Sequence, residues 1–431
     1  MPLFADITPL KESRDFRWLF GGQLVSFMGT QLTVVAVPVQ VYALTHSSLQ
    51  VGLVSLAQLG PLIIGSLLGG SVADSMDRRR LLLAAQVPMA LTSVILALNA
   101  RAHGALWPIY LTTALAAGVS GMDRPARSAA LPNLVSRESL PAAYALWQIL
   151  LQVGAVAGPA LAGLLVARFG LSTVYWIDAV TYVGAFYAVF RLRPLPPIGG
   201  GTRAGLASIV EGFRFLRPRK ELIGVFVIDL DAMIFGLPRA LFPALATGVF
   251  GGGAGTVGLL YAAPGAGALI GALTTGWVSR VRRQGMAVLV AVAAWGLAVA
   301  VFGLTASLPL ALVLLAVAGA ADVISAVFRN TILHLLIPDS LRGRLSALQI
   351  AVVTGGPRLG DAEAGAVAAL TSPRFSVVSG GLACVAGVLL VGWLLPEFRR
   401  AEVTPGSATT RPGPETAPPP PLTPEPPATA T

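Results

Sequence analysis

The sequence is poor in charge: Asp, Glu, Lys and Arg make up 12% of its 431 residues, about half the share of a soluble domain. With a mean hydropathy of +0.75, too little polar side chain exists to cover a body surrounded by water. This excludes a soluble enzyme and makes the bilayer the main solvent. Cysteine is nearly absent. The single Cys384 excludes an intrachain disulfide, and nothing resembles a cluster of metal ligands. Lysine is limited to Lys11 and Lys220, against 28 arginines. No Gly-x-x-x-x-Gly-Lys-Ser/Thr loop occurs, which argues against ATP-driven chemistry within this chain. Residues 1–17 carry no short apolar core with a small-residue cleavage site, so no cleaved signal peptide is read and the first apolar run stays as a helix.

What is present is a succession of apolar runs, each long enough to span about 30 Å of hydrocarbon. Six lie near 18–44, 49–73, 81–100, 106–131, 141–167 and 171–190. After a polar, arginine-rich connector at 191–220, six more lie near 221–248, 255–278, 286–305, 308–333, 344–370 and 375–395. The pattern predicts an all-α membrane protein of 12 transmembrane helices. It divides into an N-terminus (1–17), a six-helix bundle (18–190), the connector (191–220), a second bundle (221–395) and a tail (396–431). From 403 onward the tail is almost entirely Pro, Thr, Ala, Glu and Gly and is expected to be disordered.

The net charge of +10 would suit nucleic acid if the basic residues shared one face. They sit between the apolar runs instead, and alternate loops differ sharply: one set holds 23 Lys and Arg, the other only Arg101, Arg168 and Arg374. Basic loops stay cytoplasmic, so both termini are expected there. Arg124, Arg239, Arg329 and Arg358 remain within or at the edges of runs.

Shifting the second half over the first by 202 residues aligns Gly65 with Gly267, Gly69 with Gly271 and Arg127 with Arg329. The same shift aligns Gly154, Gly158 and Gly163 with Gly356, Gly360 and Gly365. Such a parallel duplication resembles the two halves of major facilitator transporters. Between runs two and three, Gly70-Ser-Val-Ala-Asp74-Ser-Met-Asp77-Arg78-Arg79-Arg80 resembles the loop motif of that superfamily, with Ser75 and Asp77 in place of its Arg and Gly. The resemblance implies a cytoplasmic gate of Gly70, Asp74, Arg78 and Arg79, with Asp123, Arg124 and Arg127 on run four. An ordinary positive-inside turn would also account for Arg78–Arg80. In run five, Gly154-Ala-Val-Ala-Gly158-Pro159-Ala-Leu-Ala-Gly163 is similar to the antiporter motif, with Ala162 at one glycine position. Within the superfamily that motif marks exporters; physically it is a small-residue face with a proline kink.

The stretches Val37-Pro38-Val39-Gln40, Gly212-Phe213-Arg214-Phe215-Leu216, Gly258-Leu-Leu-Tyr261-Ala-Ala-Pro264 and Pro338-Asp-Ser-Leu-Arg342-Gly-Arg344 resemble the bacterial enterobactin exporter group. The resemblance runs from about residue 10 to 398. It implies proton-driven export of a siderophore from the cytoplasm, by a monomer in the bacterial cytoplasmic membrane and without a cofactor. Neighbouring members extrude macrolides and other drugs. Small molecule, protons and bilayer are then the expected partners, and nucleic acid is not.

Ionisable groups inside spans are functional candidates because each is costly unless it faces protein or water. Asp178, Asp229 and Asp231 are candidates for proton coupling; Asp229 and Asp231 point to different faces of one helix, so at most one faces a cavity. Gln23, Ser26, Thr30 and Thr33 form a polar stripe on the first run. In the major facilitator fold that helix lines the central cavity, so the stripe suits either a cavity wall or hydrogen bonding between helices. Asp322 and Arg329, seven apart, share a face. Arg239 and Arg329 are cavity candidates that would attract an anionic aromatic substrate, with Arg124 near the inner mouth. Arg358 and Asp361, three apart, can pair directly. Many proton antiporters of this fold carry an arginine midway along the fourth helix, and Tyr110–Gly118 has none. A multidrug pump, or a membrane sensor that no longer transports, are the competing readings.

Overall fold

Lipid offers no water to amide groups, so a chain buried in it pairs them within helices. The computed structural model describes residues 6–102, 104–196, 214–337 and 339–401, and these contain helices and no β-strand. In order they are α1 (Thr8–Glu12), α2 (Arg14–Thr45), α3 (Ser48–Ser75), α4 (Arg78–Arg101), α5 (Leu106–Ala130) and α6 (Leu140–Phe190). The second half holds α7 (Lys220–Phe235), α8 (Phe242–Gly248), α9 (Ala254–Leu273), α10 (Gln284–Leu304), α11 (Leu308–Leu336), α12 (Asp339–Leu370), α13 (Pro373–Leu394) and the short α14 (Pro396–Arg399). Among the described residues, eight of these helices are long and apolar enough to cross a membrane. Side-chain caps set several starts: Ser13, Ser47 and Ser372 accept from the amides of Phe16, Gln50 and Phe375, and Asp77 accepts from Arg79.

α6 is two helices in one. At Gly170 φ is +78°, a conformation that a Cβ disfavours. The arm before it runs along α2 in the same direction, Gly154 against Phe27 and Gly158 against Gln31. The arm after it runs back, with Tyr175 bonded to Gln40 and Tyr182 to Thr30. The run expected at 221–248 is not one helix either: it is interrupted between α7 and α8 by Gly236–Pro238 and a 3₁₀ turn, Arg239–Leu241. The run at 255–278 is α-helical only to Leu273 and ends in the 3₁₀ turn Thr275–Arg280. The predicted tail opens with α14, whose Phe398 is fully buried against Gly224 and Gly285. Residues 197–213 of the connector and 402–431 of the tail lie outside the described residues.

The repeat seen at a spacing of 202 is also a repeat of contacts. Gly65 and Gly69 on α3 lie against the backbone of Gly118 and Met122 on α5, and Gly267 and Gly271 on α9 lie against that of Ala316 and Ala320 on α11. Gly154 and Gly158 pack on α2, and Gly356 and Gly360 on Met233 and Ile234 of α7. The third glycine of each set crosses to the other half: Gly163 meets Ala254 and Gly258 on α9, and Gly365 meets Ser48 and Leu49 on α3. Pro159, within the same segment, presents its carbonyl to Gly258. These crossings lie toward the ends of the helices whose loops carry few basic residues, and they continue to mid-helix, where Leu59 touches Gly355.

Backbone-to-backbone approach makes Gly65, Gly163, Gly267 and Gly365 hard to replace. Gly267→Leu would drive a side chain into the Ala316 carbonyl and is expected to cost about 1–3 kcal/mol or more. Gly255→Ala on the same helix, where an added Cβ meets nothing within 4 Å, is expected to be neutral. Thermal unfolding of the purified protein in detergent compares the two, and equal melting temperatures would refute the packing argument.

Candidate functional site

The interruption between α7 and α8 frees backbone groups within a largely apolar, buried stretch, and each must find a partner. Trp295 Nε1 on α10 donates to the Gly236 carbonyl at 2.6 Å. Tyr261 Oη on α9 donates to the Arg239 carbonyl at 3.2 Å. The Ala240 amide donates to Asp361 Oδ1 on α12 at 3.0 Å. The other oxygen of Asp361 accepts from Ser55 Oγ on α3 at 2.8 Å. One carboxylate thus ties the broken helix to its own half and to the other half. Sequence reasoning read the segment as one span because Gly236, Pro238 and Pro243 are isolated breakers in a largely apolar stretch.

Arg358 does not pair with Asp361 despite the favourable spacing. Its Nη1 donates to the Thr354 carbonyl at 2.5 Å. Arg239, in the break, and Arg124, on α5, are solvent-exposed, and Arg358 is half-exposed. They are nevertheless close in electrostatic terms: Arg358 feels Arg124, Arg239 and Asp361, and Arg239 acts on both Asp322 and Asp361. Exposed arginines near interior acids are costly in lipid, and their gathering here suits a water-filled space between the two halves.

Arg329 stands behind this wall. It is 4% exposed, with Nη2 3.1 Å from Asp229 Oδ1 on α7 and 3.6 Å from Asp322 Oδ1 on its own helix, and Nη1 donates to Ser325 Oγ at 3.1 Å. The Asp322 side chain is 35% exposed, so this group reaches water through one acid only. Arg329 is therefore committed to carboxylates and not presented to the cavity. Asp231, two residues from Asp229, lies on the opposite face against Gly387 and the Cys384 thiol on α13.

The remaining candidates distribute as follows. Asp178, 1% exposed, accepts from Thr33 Oγ1 at 2.6 Å and Ser93 Oγ at 2.8 Å. Thr30 shares a 2.8 Å bond with Tyr182 and donates to the Ser26 carbonyl, while Ser26 reaches the Gln23 carbonyl. The polar stripe of α2 thus bonds along its own helix and to the second arm of α6. Arg78 and Arg79 reach the carbonyls of Pro196 and Phe190, and Asp77 accepts from the Leu195 amide. These contacts fasten the α3–α4 turn to the segment following α6. Asp123 pairs with Arg127 one turn away. Gly70 and Asp74 fall in α3, but their surroundings lie outside the described residues.

Comparison with known proteins sets the geometry in context. Residues 5–417 match the family described as transmembrane secretion effector. The chain is 32% identical over 413 residues, 95% of its length and 98% of the relative's, to the enterobactin exporter EntS of Escherichia coli O157:H7 (strain EC4115 / EHEC). It is 32% identical over 409 residues, 94% of its length and 97% of the relative's, to the enterobactin exporter EntS of Shigella boydii serotype 18. Among solved structures, the nucleoside transporter NupG superposes with a TM-score of 0.72 at 12% identity, over 90% of this chain and 100% of that one. A bacterial homologue of the iron transporter ferroportin in its inward-facing state gives 0.66 at 16%, over 90% and 99%.

Removing one member of a buried ion pair strands the other. Arg329→Gln is expected to lower stability by about 3–5 kcal/mol, and adding Asp229→Asn is expected to recover part of that loss. Unfolding of the three proteins in detergent checks it; a double variant less stable than Arg329→Gln alone would contradict the pairing.

Proposed function

We propose, from the premise that the chain belongs to the transmembrane secretion effector family of major facilitator transporters, that it exports an anionic, partly aromatic small molecule of the siderophore class. In this reading the chain crosses the bacterial cytoplasmic membrane as six plus six helices, with both termini inside. Substrate moves outward as the two halves rock about the cavity.

The observation that carries the reading is the set of exposed or half-exposed guanidinium groups at Arg124, Arg239 and Arg358. A catecholate offers what arginine recognises well, paired oxygens for a planar fork and a ring face to stack on. A neutral macrolide has no pair of anionic oxygens and no aromatic face. The enterobactin named for the relatives is consistent with that chemistry.

Proton antiport rests on Asp229, Arg329 and Asp322: two carboxylates share one guanidinium, so a proton arriving through the exposed Asp322 can replace half of the arginine's work. Asp178, with hydroxyl partners and no cation, is a second place where a proton can reside, and Asp231 is a third.

Inside-out vesicles given a catecholate siderophore in the surrounding medium, which an exporter would accumulate in the lumen, test the proposal. Arg239→Gln and Arg358→Gln are each expected to reduce its transport at least about tenfold, the loss of one charge-assisted hydrogen bond, and Asp322→Asn to abolish the dependence on an imposed pH gradient. Unchanged siderophore secretion by a deletion strain under iron limitation would sink the reading. Transport of a neutral macrolide in preference to the catecholate would assign a drug pump instead, and no flux of either would favour a sensor.

A further inference from the structure

Away from the central cavity, a second hollow opens on the outer surface between the start of α2 and the end of α6. It measures about 580 Å³ and is lined by Arg14, Arg17, Trp18, Gly21, Val25 and Gly184, among others. Its floor is a close helix contact, where a Cβ on Gly22 would lie 2.7 Å from that of Ala188. The glycines higher in the groove serve no such contact: a Cβ on Gly21 would meet nothing within 4 Å, and one on Gly184 only Val25 at 4.0 Å. They leave space that neither helix fills.

The mouth of the groove is basic. Arg14 and Arg17 are exposed, and neither guanidinium has a hydrogen-bond or ion-pair partner among the described residues. The nearby acids are engaged elsewhere: Asp15 pairs with Arg193 at 3.2 Å, and Glu12 accepts from Ser139. Beside the mouth, the Arg191 guanidinium lies 5.5 Å from the Trp18 ring and 5.9 Å from the Tyr187 ring, and the two rings meet edge to face. Aromatic rings and arginines at one level are the pattern of a membrane interface. Two cations without a partner among the described residues thus stand over an open, largely apolar groove, an arrangement that fits a headgroup above an acyl chain.

We propose that this groove binds an anionic phospholipid, its phosphate held by Arg14 and Arg17 and one acyl chain lying over Gly21 and Gly184 between α2 and α6. Zwitterionic lipid lacks the net charge that two free arginines select.

Native mass spectrometry of the intact protein in detergent, titrated separately with palmitoyl-oleoyl phosphatidylglycerol and phosphatidylethanolamine, tests the site. The unmodified protein is expected to retain phosphatidylglycerol preferentially. Arg14→Gln and Arg17→Gln should each weaken that binding about fivefold, and together about thirtyfold, without altering phosphatidylethanolamine. Arg14→Lys/Arg17→Lys should keep the preference, and Gly21→Leu/Gly184→Leu should remove it by filling the channel while leaving both arginines in place. Equal retention of the two lipids by the unmodified protein, or an unchanged preference in the double Gln variant, would overturn the proposal. Should the Gln variant fail to fold, the Leu pair alone decides: undiminished phosphatidylglycerol binding there overturns it.

Discussion

The two oxygens of Asp361 satisfy two demands at once. Oδ1 receives the amide of Ala240, freed where α7 gives way to α8, and Oδ2 receives the hydroxyl of Ser55 from the other half. In water an interrupted helix costs little, because solvent takes up the loose groups. At bilayer depth each loose group costs several kcal/mol. The break that leaves Arg239 exposed is held by Asp361, Trp295 and Tyr261, which receive its loose groups. Irregular backbone is tolerated in a membrane only where protein or a water-filled space surrounds it.

Around that centre the molecule is held by shape. Small residues let helix backbones approach where lipid tails supply no hydrophobic drive between helices. The same glycine positions do this in both halves, so the duplication survives as matched contacts while the chemistry has diverged. Arg127 pairs with an acid one turn away on its own helix, whereas its counterpart Arg329 reaches Asp322 two turns away and Asp229 on α7. The second half thereby acquired a charge group with one acid facing water.

Much of this was legible in the residues. The long apolar runs are helical because lipid leaves them no alternative, and Gly154, Gly158 and Gly163, matched by their counterparts, announced both the repeat and the tight packing. The Asp322–Arg329 pair followed from spacing alone. What could not be read is what depends on a third element. Arg358 and Asp361 stand three apart, yet Ser55 and the Ala240 amide, distant in sequence, occupy the carboxylate. Thr30 and Thr33 were equally suited to a cavity wall or to a neighbouring helix until Tyr182 and Asp178 were found opposite them. The outer groove had no signal at all, because Gly21 and Gly22 look alike in sequence and differ only in what faces them.

The seam between the halves is made of glycine against backbone, contacts that carry no direction and leave nothing unsatisfied when they separate. The Ser55–Asp361 bond is of another kind: parting the halves there exposes a hydroxyl and half of a carboxylate, which must then be wetted. Any parting of the halves at that point would have to break this bond as well as separate the glycine contacts. If the halves rock as proposed, water access to Asp361 bears on how readily the seam parts, and the glycine contacts on how closely it shuts.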